Sequence, residues 1–287
     1  MLKMVSIVSC FRTEAVILKF VPALHKFVSD ASEHVRVSIS KSINNLATIF
    51  SKTDTIEFIL PIILLLLRDQ SSEVRLNIIS NLGPINEAIG VDLLSQSLLP
   101  SILNLAEDTK WRVRQSIILI IPVLAEQLGR DFLNEKLGET CLGWLVDSVH
   151  AVRTSAAENI KKLFCLFGED WLKDNIFPRL ERMLVHSNYL RRMSALYTIQ
   201  QLVGMLSKSM VSSSVVPLLV QMASDGVANI RMCVARLVLA LASSQRPEIR
   251  QGLGLCLTRL APTIAQLAAD KDPDVRLIAQ KIGSLQR

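Results

Sequence analysis

The sequence predicts an all-α fold, an α-α superhelix built from about seven helix pairs. Three observations lead there. Half of the residues are apolar but only 5% are aromatic, so the core must be built mainly from Leu, Ile, Val and Ala, which suits packed helices better than a β-sandwich. Apolar residues recur at helical spacing, and no alternating run bounded by turn dipeptides argues for strands. One motif also returns at a fixed interval along the chain.

The motif is a proline, an aspartate eight residues on, and an arginine six further. It is read at Pro22, Asp30 and Arg36; at Pro61, Asp69 and Arg75; and at Pro100, Asp108 and Arg114. The fourth copy lacks the proline but keeps Asp147 and Arg153. The fifth has Pro178 and Arg192, with His186 in place of the aspartate. The last two carry Pro217, Asp225 and Arg231, then Pro262, Asp270 and Arg276. The interval between arginines is 39 residues five times and then 45. Six extra residues therefore lie between Arg231 and Pro262, with SSQRPEIRQG around Pro247 as their place, and they put the position of the final turn at issue. The register divides one array, 1–287, into repeats at 13–51, 52–90, 91–129, 130–168, 169–207, 208–246 and 253–287, with 1–12 as the end of a preceding repeat.

Each repeat reads as two helices. In the second, Phe58 to Leu67 forms the first helix and RDQSSE, residues 68 to 73, the turn, with Asp and Ser suited to capping. Val74, Ile78, Leu82 and Ile85 then mark one apolar face of the second helix. Such a pair cannot bury that face alone, and stacking in register buries it, which gives a curved rod. The prolines are expected to kink the first helices, since each removes a donor and clashes one turn back. The repeated charges, Asp30, Arg36, Asp69, Arg75, Asp108, Arg114, Asp147, Arg153, Asp225, Arg231, Asp270 and Arg276, are expected to form a ladder in which the Arg of one repeat meets the Asp of the next.

Composition narrows the function. The net charge is +6, but the basic residues are spread over the whole length and lack interleaved aromatics, so nucleic acid is not the expected partner. An acidic protein surface fits the charge as well. The five cysteines are odd in number and form no CxxC pair; they read as free thiols of a reducing compartment. Phe58 to Leu67 is about half the length of a membrane span, and MLKMVSIVSCF has no convincing signal-peptide pattern. The expected compartment is the cytoplasm, with the nucleus second. The four histidines, His25, His34, His150 and His186, make no HxxxH pair, and no HExxH, GxGxxG, P-loop or GxSxG occurs. No catalytic, cofactor-binding or metal-binding residue is therefore expected.

What stands out instead lies in the turns. Lys110, Trp111 and Arg112 combine an aromatic with two cations, a composition enriched at interface hot spots. The register places Val149 and His150 at the matching positions of the fourth repeat, Tyr189 and Leu190 near Arg192 in the fifth, and Val227 and Asn229 in the sixth. These residues predict a ridge for a protein partner. Trp144 and Trp171 fall at helical apolar positions and read as core.

The Pro, Asp and Arg offsets resemble the HEAT-repeat consensus. LRDQSSEVRLNIISNL at 67–82, LSQSLLPSILNLAEDTKWRVR at 94–114, WLVDSVHAVR at 144–153, NYLRRM at 188–193 and DGVANIRMCVA at 225–235 are similar to the scaffolding A subunits of protein phosphatase 2A. The similarity runs from about Thr13 onward and matches the C-terminal seven repeats of that longer scaffold. It implies a non-catalytic protein that holds the phosphatase catalytic subunit through the turns of its third to seventh repeats. It also implies that most of the surface for the exchangeable regulatory subunit, on the N-terminal repeats, is missing. The six-residue insertion and His186 depart from the family pattern. The alternative is an adaptor or transport solenoid that binds a peptide cargo in its concave groove, which would concentrate unusual residues on the inner helices.

Overall fold

A computed structural model describes residues 14–47, 50–90, 94–243 and 247–285. The predicted end of a preceding repeat, 1–12, lies outside the described residues. Every regular element among them is helical, as the periodicity predicts. The chain divides into two compact units, Met1–Thr140 and Cys141–Arg287, with the boundary inside the first helix of the fourth repeat.

In the N-terminal unit the first repeat is Glu14–Val28 followed by Glu33–Ala47, and the third repeat ends on the 18-residue helix Trp111–Leu128. The second helices pack on one another in sequence: Glu33–Ala47 on Ser72–Ile79, and Ser72–Ile79 on Trp111–Leu128. In the C-terminal unit the same row is formed by His150–Trp171, Tyr189–Leu202, Ala228–Ala242 and Pro273–Leu285, each packed on the next. The face predicted for the second repeat is the buried one: Val74, Ile78, Leu82 and Ile85 are all buried. That helix is broken, however, into Ser72–Ile79 and Leu82–Ile89. Pro84 has no N–H for the carbonyl of Ser80, which favours a break at that point. Pro122, one residue out of that register, is carried inside an unbroken helix.

The first helices are longer than the sequence suggested and contain a feature it did not. Each of the five middle repeats has a five-residue π-helical stretch, Thr55–Ile59, Leu94–Leu98, Leu133–Leu137, Leu172–Ile176 and Val211–Val215. Pro61, Pro100, Pro178 and Pro217 follow immediately, each in the first turn of the next α-segment. A proline there loses little, because the widened turn has already displaced the carbonyl its ring would meet. The fourth repeat has the π-stretch with no proline, so the irregularity belongs to the repeat and the proline is accommodated by it. Pro22 and Pro262 sit within uninterrupted α-helices. The expectation that each proline kinks its helix is corrected accordingly. The last repeat's first helix, Pro247–Ala268, has 22 residues, where the matching stretch of the sixth repeat runs only from Lys208 to Met222. The insertion is absorbed as extra helix.

The junctions between repeats also follow the 39-residue register. Gly90, Gly129 and Gly168 occupy it with φ of 86°, 85° and 81°. Ser51 and Ser207 occupy the flanking positions in extended conformation and cap the next helix, accepting from the N–H of Asp54 and Met210. The Gly129 backbone, φ 85° and ψ 171°, is open to glycine alone. We expect Gly129→Ala to lower stability by about 1–3 kcal/mol, although no atom lies within 4 Å of the added carbon. Gly143→Ala, in helical conformation and equally unobstructed, should instead raise it by about 0.5–1 kcal/mol. Chemical denaturation of the two variants measures both.

Candidate functional site

The turn between the two helices of a repeat is built the same way seven times. The aspartate carboxylate accepts a hydrogen bond from the backbone N–H two residues on: Ser32 to Asp30, Ser71 to Asp69, Lys110 to Asp108, Val149 to Asp147, Val227 to Asp225 and Asp272 to Asp270, all at 2.7–2.8 Å. In the fifth repeat Nδ1 of His186 takes that role, accepting from Asn188 N–H at 3.0 Å. The repeat arginine closes the turn from the other side. Nη1 of Arg36, Arg75, Arg114, Arg153, Arg192, Arg231 and Arg276 donates to the carbonyl six residues earlier at 2.6–2.8 Å.

The rest of the guanidinium reaches the next repeat. In the N-terminal unit Arg36 meets Asp69 with Nε–Oδ2 at 2.7 Å and Nη2–Oδ1 at 3.2 Å, and Arg75 meets Asp108 through Nη2, 3.0 Å from Oδ2. In the C-terminal unit Arg192 pairs with Asp225 at 2.8 Å and Arg231 with Asp270 at 2.6 Å. These charged groups are mostly out of water, with side chains 6–16% exposed. The hydrogen bond to Asp69 raises the Arg36 guanidinium above its ordinary range, and the bond to Asp270 does the same for Arg231. The Arg231 bond holds the Asp270 carboxyl below the usual carboxylate range. The six inserted residues leave this rung intact. Arg153 has no aspartate opposite it, because its register partner is His186.

The residues singled out for a partner occupy the starts of the second helices, one position later in structure than a loop reading implies. Lys110, Val149 and Val227 are the N-cap residues of Trp111–Leu128, His150–Trp171 and Ala228–Ala242, while Trp111, His150 and Tyr189 are first helical residues. Trp111 is half-buried and carries the Arg112 guanidinium over its ring, 4.5 Å from the centroid, a cation–π contact. Lys110, Arg112, His150, Tyr189 and Asn229 are exposed; Val149, Leu190 and Val227 are half-buried. Arg192 is mostly covered by its rung. Sequence reasoning missed Val146 and Val185, which are 37% and 71% exposed just before the turn aspartate or histidine. Their separation, one full repeat, was the available signal. Trp144 and Trp171 are core, 3% and 1% exposed.

Among the described residues no group of His, Cys, Asp and Glu could hold a metal ion, and no helix is long and apolar enough to cross a membrane. Cys141 is buried beside Asn159, whose Nδ2 lies 4.0 Å from Sγ; burial pushes its thiol up to about 12. Cys165 is exposed.

Residues 52–129 match the family model described as PPP2R1A-like HEAT repeat. No curated protein sequence matches the chain significantly. Among solved structures the chain is similar to Cex1p, with a TM-score of 0.60 and 15% identity over 85% of this chain and 44% of that one. It spans less than half of Cex1p, and the likeness is one of fold. A designed armadillo repeat protein in complex with the peptide (KR)4 aligns with a TM-score of 0.42 and 17% identity over 79% of this chain and 99% of the designed one. The chain is a helical-repeat protein of the HEAT/armadillo kind.

Two outcomes are expected from this geometry. Asp270→Asn removes one partner of a pair shielded from water and should cost about 3–5 kcal/mol. Because the folded-state carboxyl is depressed, its contribution is present above the ordinary carboxylate pKa of about 3.9 and is lost as pH falls below it. Thermal melts below pH 4 should therefore flatten for the variant relative to the native chain. In native buffer at pH 8, iodoacetamide with peptide mapping should label Cys165 and leave Cys141 unmodified until denaturant is added.

Proposed function

We propose that this chain is a non-catalytic scaffold that binds the catalytic subunit of a phosphatase 2A-type holoenzyme and positions it for regulation. The observation that carries the reading is the match of the second and third repeats to the PPP2R1A-like HEAT model, because the matched stretch contains Lys110, Trp111 and Arg112. The chemistry of the row is consistent with it. An aromatic under a guanidinium, an exposed tyrosine and the two exposed valines Val146 and Val185 suit a protein surface better than a small molecule. The proposed contacts are Lys110, Trp111 and Arg112 in the N-terminal unit, and Val149, His150, Tyr189, Leu190, Arg192, Val227 and Asn229 in the C-terminal unit. The scaffold supplies no group to hydrolysis; its contribution is to hold the enzyme. A regulatory subunit is the second proposed partner; the resemblance assigns most of its surface to repeats N-terminal to these. The proposed compartment is the cytoplasm, with the nucleus second.

Trp111→Ala tests the reading. The ring is half-buried at a helix start, so truncation should leave the melting transition nearly in place while weakening binding to purified phosphatase catalytic subunit at least tenfold, about 1.4 kcal/mol. A well-folded variant with native affinity would remove Trp111 from the site. A wild-type chain with no affinity for the catalytic subunit would overturn the reading itself.

A further inference from the structure

The fifth repeat breaks the ladder, and the break leaves a site. Every rung described above neutralises the repeat arginine with the aspartate of the following repeat. Arg153 meets His186 in that register instead. Within the protein it donates only from Nη1, to the carbonyls of Asp147 at 2.7 Å and Ser148 at 3.1 Å. Among the described residues no carboxylate pairs with it. His186 has its Nδ1 engaged as an acceptor by Asn188 N–H, which puts the ring proton on Nε2 as a donor. The same turn departs from the register once more. The residue before the ladder arginine is Val74, Val113, Val152, Ile230 or Val275 in five other repeats, each fully buried, and the half-buried Val35 in the first; here it is Arg191, exposed. The turns of the fourth and fifth repeats that carry these donors also carry exposed apolar side chains: Val146 at 37%, Tyr189 at 40% and Val185 at 71% exposure.

We propose that the turn of the fifth repeat is a carboxylate-binding subsite, in which an Asp or Glu of the bound protein, flanked by apolar residues, pairs with Arg153 and completes the missing rung from outside. This deepens the scaffold reading and rests on it for the identity of the partner. The chemistry is fixed by the repeat itself. In the Arg36 and Arg231 rungs a carboxylate takes two parallel N–H bonds from Nε and Nη2 of this arginine, at 2.6–2.7 Å and 2.8–3.2 Å. The corresponding donors of Arg153 are the ones left over, and a bidentate guanidinium selects a carboxylate over a neutral amide. His186 Nε2–H adds a third donor and Arg191 a second positive charge. Nothing in this turn competes for them with a negative charge of its own. The valines and the tyrosine lower the local dielectric once covered, which strengthens the pair.

The substitution that tests this restores the repeat. His186→Asp supplies the turn with the residue that caps it elsewhere and gives Arg153 an internal partner, so it should raise the melting temperature while weakening the phosphatase catalytic subunit at least fivefold. Arg153→Gln should weaken binding to a similar degree without the gain in stability. If both variants fold and bind the catalytic subunit as the native chain does, while Trp111→Ala binds weakly, the subsite is refuted and the scaffold reading stands. If the native chain does not bind the catalytic subunit, the scaffold reading fails and a second probe decides the subsite alone. That probe is an immobilised Leu-Glu-Leu peptide beside its Leu-Gln-Leu counterpart. Retention of the native chain by the acidic peptide only, lost in His186→Asp, supports the subsite; equal retention on both peptides, or retention unchanged by the substitution, overturns it.

Discussion

In four of the repeats a single guanidinium makes two connections. Nη1 closes the turn of its own repeat by binding the carbonyl six residues back, and the remaining N–H groups bind the aspartate of the next repeat. That aspartate in turn caps the backbone two residues on. Local turn, helix start and neighbour contact are thus one hydrogen-bonded unit, repeated with the chain. The constraint falls on the turns and not on the residue count between them. From Arg36 to Asp69, and again from Arg75 to Asp108 and Arg192 to Asp225, the separation is 33 residues; from Arg231 to Asp270 it is 39. Yet this last rung is among the shortest, at 2.6 Å, and its side chains are 6% and 7% exposed. The additional residues are taken up as helix on the far side of the turn, where no rung is at stake.

Desolvating such a pair is expensive, and replacing it by well-packed apolar residues often costs nothing in stability. What the ladder supplies is register. The packed faces of the second helices are lined by interchangeable aliphatic side chains, Val74, Ile78 and Leu82 in one repeat, Val113, Ile117 and Ile121 in the next. A slip of one helical turn would bury nearly the same apolar area. It would also separate every guanidinium from its carboxylate and leave both shielded from water, which is strongly unfavourable. The junctions add a second restraint, since at each one among the described residues a glycine with φ near 85° or a capping serine continues the chain into the next helix.

Much of this was legible in the sequence because it repeats. Five equal spacings between arginines set out the repeat length and pointed to the rungs, of which Arg36–Asp69, Arg75–Asp108, Arg192–Asp225 and Arg231–Asp270 are formed. The buried face of the second repeat could be read from Val74, Ile78, Leu82 and Ile85. What could not be read were features that depend on backbone geometry common to all repeats. The π-stretches carry no sequence signature of their own: TIEFI, LSQSL, LNEKL, LKDNI and VSSSV share little beyond an apolar last residue. The proline after them suggested a kink, but the fourth repeat adopts the same geometry with Glu139 in the proline's place. The candidate site was read by composition and register, which singled out Trp111, Tyr189, Val149 and Val227 and overlooked Val146 and Val185. Val185 is unremarkable as a letter, and its exposure is evident only once the helix before it is seen to end at Leu184.

The ladder and the proposed partner residues are joined by covalent backbone. The N–H groups that the aspartates accept belong to Lys110, Val149 and Val227, which are themselves members of the row. Each of these residues is therefore fixed in extended conformation at a helix start by the turn carboxylate, and for Lys110 and Val227 that carboxylate, Asp108 or Asp225, also holds the arginine of the preceding repeat. A partner meets groups whose backbone entropy was lost on folding, so that loss does not have to be repeated on binding. The fifth repeat keeps this arrangement by an unusual means. His186 still fixes Asn188, and Tyr189 still begins its helix, so the presentation of the row is preserved while the charge that would have neutralised Arg153 is gone. Replacement of a carboxylate by an imidazole that caps equally well separates the two duties of the turn aspartate, retaining the one that shapes the surface and releasing the one that joins the repeats.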